Sequence, residues 1–191
     1  MKKLIVSRYN ENIDWVNKIN FDYVVYNKGI NDLSQPHINL KNVGREADTY
    51  LNYIILNYHK LPEIVVFSQG NPFDHCYDFI EKVNKTTDIN NVTWLGSNWG
   101  PITKNYDGGP GSDPLPLIEL CELLFYQKYD ISKTFTFSAG AQYMVPHKFI
   151  TNKSLDWWKL CYSVFDKYIE ISPWAYERIW PMIWNYENIS T

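Results

Sequence analysis

Residues 45–59 place Tyr50, Leu51, Ile54, Ile55 and Tyr58 at the spacing of one helix face, and Leu61-Pro62 stops that helix. The chain then runs directly into Glu-Ile-Val-Val-Phe at 63–67, an apolar run of strand length closed by Ser68-Gln69-Gly70-Asn71-Pro72. A helix handed straight to a buried strand is half of a βαβ unit, and this restricts the fold more than any other feature. The same rhythm recurs upstream. Residues 2–6 read as a short buried strand, 14–19 as a brief amphipathic helix, and 23–26 (Tyr-Val-Val-Tyr) as a second strand ended by Asn27-Lys28-Gly29. The expected class is α/β, with a mainly parallel central sheet flanked by helices.

In sheets of this kind ligands bind beyond the carboxyl ends of the strands. The polar segments after the first three strands, 7–11, 27–29 and 69–75, are therefore expected along one edge. The second half is less regular. The pattern predicts a helix over 73–83, a strand over 92–95, a long Gly- and Pro-rich loop over 96–116, and a helix over 117–129. A strand over 134–137, a helix over 154–169 and a Trp-rich tail over 173–184 complete the mixed half.

A length of 191 residues fits one domain spanning the whole chain. The net charge of -3, without any Lys/Arg block, argues against a nucleic-acid polymer as partner. Cys76, Cys121 and Cys161 are widely spaced, so neither a disulfide framework nor a zinc site is indicated. The apolar run after Met1-Lys2-Lys3 is only Leu4-Ile5-Val6, too short for export, and no stretch reaches membrane-spanning length. A cytoplasmic location is expected, the host cytoplasm if the chain is viral. Basic charge is carried mostly by Lys, which makes Arg8, Arg45 and Arg178 informative, because only guanidinium offers a planar fork to phosphate or carboxylate. Chance survival or a structural ion pair is the bland alternative.

Five segments carry candidate chemistry. Ser7-Arg8-Tyr9-Asn10-Glu11 follows the first strand, where a hydroxyl, backbone amides and Arg8 can hold a nucleotide and its phosphates, or where a polar turn is merely capped. Asn42-Val43-Gly44-Arg45-Glu46 opens the best helix, an anion site in waiting, although Glu46 also suits an ordinary first-turn acid. Gln69 to His75 sets Asp74 beside His75 just past a buried strand, as metal ligands or as a helix cap with a satisfied neighbour. The loop residues Asp107 and Asp113 are further acids in a Gly-rich setting that does not fit a P-loop. Near the end, Glu177 stands among Trp174, Tyr176 and Trp180, the setting of a general base or of an ion pair with Arg178.

Together these segments resemble a family catalogued as domain of unknown function 3431. The matching elements are Val6 to Glu11 with Trp15, Tyr26-Asn27-Lys28-Gly29, Asn42 to Glu46 with Thr49-Tyr50-Leu51, Phe67 to His75, Gly140-Ala141-Gln142, and Glu177-Arg178-Ile179-Trp180-Pro181. The viral branch of that family looks like glycosyltransferases of the GT-A type. The resemblance implies a Rossmann-like GT-A fold, with a nucleotide-binding half over 1–95 and an acceptor-binding half over 96–191. It implies sugar transfer from a nucleotide diphosphate donor, a UDP-sugar first, to a hydroxyl of a glycan or glycoprotein, capsid glycoprotein synthesis included. Ser7, Arg8, Tyr9, Asn27, Lys28, Arg45, Glu46 and Gln69 would hold the donor, and Asp74 with His75 a divalent metal, Mn²⁺ or Mg²⁺. The usual Asp-x-Asp is absent, which sets the metal in question. Glu177 would act as base in an inverting transfer, with Asp113 in reserve. A glycan-binding module without turnover and a metal-dependent hydrolase are the rival classes.

Overall fold

The computed structural model describes residues 1–96, 98–102, 115, 117–126 and 135–185, with the backbone alone at 98–102 and 135–138. β1 (Lys2–Arg8) sends Leu4 and Val6 to one face and Ile5 to the other, all fully buried. Burial on both faces is why its sequence reads as a continuous apolar run rather than an alternation. A 3₁₀ turn, Asp14–Lys18, returns the chain to β2 (Asp22–Asn27), which pairs with β1 in parallel. β3 (His37–Asn39) continues outward beside β2, also in parallel.

The chain then crosses back through α1 (Arg45–Asn57), whose buried stripe of Tyr50, Leu51, Tyr53 and Ile54 lies on the sheet. Each fully buried side chain of this size contributes roughly 1.5–3 kcal/mol relative to exposure. β4 (Ile64–Gln69) enters on the other side of β1 and pairs with it in parallel. Thus the chain winds from β1 in one direction and returns in the other, leaving a switch point between β1 and β4.

The expected helix over 73–83 is shorter and later: α2 runs Phe79–Lys85. Pro72 is the cause, because its carbonyl accepts from the His75 and Cys76 amides and folds 72–76 into tight turns. β5 (Thr93–Trp94) is followed by β6 (Asn98–Ile102), α3 (Leu117–Phe125), β7 (Phe135–Ser138) and β8 (Tyr143–Pro146). β8 inserts antiparallel between β4 and β5, giving a mixed six-stranded sheet of order β3-β2-β1-β4-β8-β5, with β6 and β7 as a separate ribbon. A short α4 (Lys148–Thr151) precedes α5 (Leu155–Lys167), which Ser154 caps through the Trp157 amide, and α6 (Ser172–Asn185) closes the described chain.

The sheet separates two apolar clusters. The smaller holds Trp15, Phe79 and Met144, and the larger fills the space between the sheet and α1, α3, α5 and α6. Most of the aromatic surplus is spent there. Trp184 stacks on Phe67 at 5.7 Å and on Trp180 at 4.8 Å, and Trp158, Trp180, Trp184, Tyr50 and Tyr143 are fully buried. No helix among the described residues is long and apolar enough to cross a membrane.

Candidate functional site

Because β1, β2 and β4 run in parallel, their carboxyl ends deliver Ser7 and Arg8, Lys28, and Gln69 to one edge. The segment before α1 crosses that edge. The result is a cleft of about 390 Å³ lined by Ser7, Arg8, Tyr9, Glu11, Lys28, Asn42, Arg45, Glu46 and Gln69. Seven of the eight residues expected to hold a donor therefore line one cleft; Asn27 lies beneath it.

Two of the expected cations are already engaged within the protein. Arg8 is buried, and its guanidinium donates to the Glu11 carbonyl (2.9 Å), Asn27 Oδ1 (2.8 Å), the Ile30 carbonyl (2.9 Å) and Asp32 Oδ1 (2.9 Å). Arg8 thus enters the cleft as a fixed wall, not as the free fork expected for phosphate. Asn27 also donates to the Ile30 carbonyl and to Asn39 Oδ1, tying the ends of β2 and β3 to the loop beyond. Lys28 is likewise committed: its ammonium donates to the carbonyls of Val43 and Arg45 and to Asp48 Oδ2, each at 2.6 Å. Ser7 Oγ is paired with Thr49 Oγ1 at 2.9 Å.

Arg45 differs. Its side chain is 56% exposed, its guanidinium lies 5.4 Å from the Trp174 ring, and its Nε is 3.9 Å from Glu46. Gly44 at φ +65° and Arg45 at φ +49° are consecutive left-handed residues at the start of α1. A Cβ on Gly44 would come within 2.7 Å of the Phe165 ring, so only glycine fits there. For Arg45 the conformation costs roughly 1–2 kcal/mol. The three bonds from Lys28 to this segment hold it in place.

Glu46 is 7% exposed, in the first turn of α1. Burial first, and then the charge of Glu177, push its carboxyl up to about 7; its own backbone amide, Arg45 and Lys28 pull the other way. Glu177, on α6, is therefore an electrostatic neighbour of the cleft although it does not line it. One of its oxygens accepts the Gly140 amide at 2.8 Å and the other pairs with Arg178 at 2.5 Å. The ion pair weighed from the sequence is thus present. Gly140, at φ +87°, packs against the His75 ring, where a Cβ would meet it at 2.5 Å, so His75 and Glu177 flank one residue.

Two phenols complete the surroundings: Tyr50, read from the sequence as part of a helix face, and Tyr143, which the sequence did not single out. Tyr50 and Tyr143 are fully buried, and their hydroxyls have no hydrogen-bond partner among the described residues. Both ionise well above the usual range, through burial and then through the nearby charges of Glu46 and Glu177. The legible signal was the i, i+4 spacing of Glu46 and Tyr50.

Asp74 is exposed in the turn before α2, and neither it nor His75 lines the cleft. Among the described residues no three His, Cys, Asp or Glu side chains are grouped to hold a metal ion. Asp74 and His75 alone make a poor fit to a protein-held divalent cation, which takes six or more oxygen-rich ligands. Asp107 and Asp113 lie outside the described residues. The three cysteines are buried and inert: burial pushes Cys76 up to about 11 and Cys121 and Cys161 to about 12.

Residues 4–96 match the family described as Protein of unknown function (DUF3431), and this stretch contains every described residue that lines the cleft. No curated protein and no solved structure matches the chain.

Proposed function

We propose that the chain is a transferase of Rossmann-like GT-A type that moves a sugar from a nucleotide diphosphate donor to a hydroxyl acceptor. The observation that carries this reading is the position of the cleft, at the carboxyl edge of the parallel strands and at the switch point between β1 and β4. The order β3-β2-β1-β4 agrees with the 3-2-1-4 portion of the doubly wound nucleotide-binding order, which supports the reading. The first turn of α1 brings helix-dipole charge to the cleft, and Arg45 adds a cation with an exposed fork. Transfer to a hydroxyl also needs a proton acceptor, and the neighbouring carboxyls of Glu46 and Glu177 offer one beside the donor space.

A panel of UDP-glucose, UDP-galactose and GDP-mannose, followed by thermal shift, tests the reading, because a bound donor stabilises the folded state by mass action. At least one donor is expected to raise the melting temperature. Arg45→Lys keeps the charge and loses the fork, so its affinity for that donor should fall about tenfold while its ligand-free melting temperature stays near the parent's. Equal binding by the parent and the Lys variant would remove Arg45 from the donor grip; no shift with any of the three would remove the donor.

A further inference from the structure

Resting on the nucleotide-sugar reading of the cleft, we propose that Glu46 is the catalytic residue that takes the acceptor's proton, and that Glu177 is a positioning residue that controls it from behind.

Position and bonding, not exposure, separate the two acids. Glu46 forms part of the cleft lining although its side chain is only 8% exposed, whereas the Glu177 side chain, 19% exposed, does not line the cleft and has one oxygen held by the Gly140 amide and the other by Arg178. A carboxylate held on both oxygens has neither free to take the proton of an acceptor. The Glu46 carboxyl stands on the cleft wall, where an acceptor hydroxyl can reach it.

The surroundings of Glu46 support this division. Tyr50, four residues later on α1, and Tyr143, on β8, present fully buried hydroxyls that find no hydrogen-bond partner among the described residues, and both sense the two carboxyls. Glu177, Trp180 and Trp184 share a face of α6 by their i, i+3 and i+7 spacing. Trp180 lies 6.1 Å from Tyr50, and Trp184 lies 5.9 Å from Tyr143. Buried aromatic rings thus pack beside Glu46, and in that low-dielectric setting a neighbouring charge acts strongly on it.

The remaining charged groups near Glu46 are Arg45 on its own helix and Lys28 from the end of β2, with Arg8 and Glu11 across the cleft. Lys28 is neutralised by Asp48, and Arg8 is paired with Asp32. The balance leaves Glu46 titrating near neutrality, where a general base works best.

The step balances without a further reactant. The acceptor oxygen forms a bond to the anomeric carbon of the donor sugar, and its O–H proton passes to the Glu46 carboxylate. The bond from the anomeric carbon to the diphosphate oxygen breaks, and its electron pair leaves with the nucleoside diphosphate. Glu46 then returns the proton to solvent through the cleft.

The test uses whichever of UDP-glucose, UDP-galactose and GDP-mannose the parent binds most tightly, with water as the acceptor hydroxyl and nucleoside diphosphate release as the readout. E46Q should still bind that donor and lose turnover by about 10²–10⁴-fold. E177Q should keep turnover within about tenfold, and the acidic limb of its pH–rate profile should move to lower pH, because loss of the neighbouring charge lets Glu46 ionise more easily. E46Q turning over like the parent, or E177Q abolishing turnover with the limb unmoved, would overturn the assignment while leaving donor binding intact. A parent that binds none of the donors would overturn the donor reading, and the role of Glu46 with it.

Discussion

Replacing Lys28 by methionine should destabilise the protein by about 3–5 kcal/mol, the usual loss when one member of a buried ion pair is removed. Lys28 and Asp48 are both almost fully buried, and the ammonium reaches three acceptors at once. Methionine fills similar volume but leaves the carbonyls of Val43 and Arg45 without this donor and the Asp48 charge without a counter-ion. Asp48 keeps bonds from Asn52 Nδ2 at 2.9 Å and from the Tyr162 hydroxyl at 3.0 Å, which do not replace a charge. The cleft should suffer as well, because the same bonds hold the left-handed turn at Gly44 and Arg45. Urea unfolding is the measurement, and adding Asp48→Asn to the methionine variant should recover part of the loss. A cost below about 1 kcal/mol would mean that the pair behaves as a solvated surface bridge.

Stability should also fall as pH rises from about 4.5 to about 7, and E46Q should remove that slope. The folded value for Glu46 lies above its ordinary 4.5, so between 4.5 and about 7 the folded state holds more proton than the unfolded chain. Under that condition raising the pH favours unfolding. The contribution is complete below 4.5, declines through the window, and is lost above about 7, for a total of roughly 3 kcal/mol. Gln keeps the shape and cannot ionise. E46Q should therefore match the parent below pH 4.5 and exceed it by up to about 3 kcal/mol above pH 7, even as it loses turnover. Parallel unfolding curves for the two proteins across this range would show that Glu46 is solvated.

The elements legible from the sequence are those whose own residues decide them. β1, β2 and β4 are apolar runs bounded by turn residues, and α1 combines a helical stripe with a proline stop. β3 was not legible, because His37-Ile38-Asn39 has no apolar pattern and becomes a strand only by pairing with the edge of β2. β8 was hidden for a related reason: Tyr-Met-Val-Pro is short, and its antiparallel place is set by the gap between β4 and β5. The start of α2 was misplaced because Pro72 reads equally well as a helix start and as the carbonyl anchor of a turn.

The site divides along the same line. Convergence of residues 7–11, 28 and 69 on one edge follows from parallel pairing, which the βαβ rhythm announces. The commitment of Arg8 and Lys28 to internal partners does not, because Asp32, Val43 and the carbonyl of Ile30 come from turns whose shape only the folded chain fixes. Nor does the coupling of Glu46 to Glu177, which arises because α6 packs against α1.

Amide chemical-shift mapping with the tightest-binding nucleotide sugar tests the central claim most directly. If the cleft at the β1/β4 switch point is the donor site, the amides of Ser7, Tyr9, Lys28, Arg45, Glu46 and Gln69 should move together and saturate with one affinity. Those of Asn90 and His147, which line a smaller hollow elsewhere, should stay still. Saturable shifts confined to Asn90, His147 and their neighbours, with the cleft amides unmoved at millimolar ligand, would contradict it.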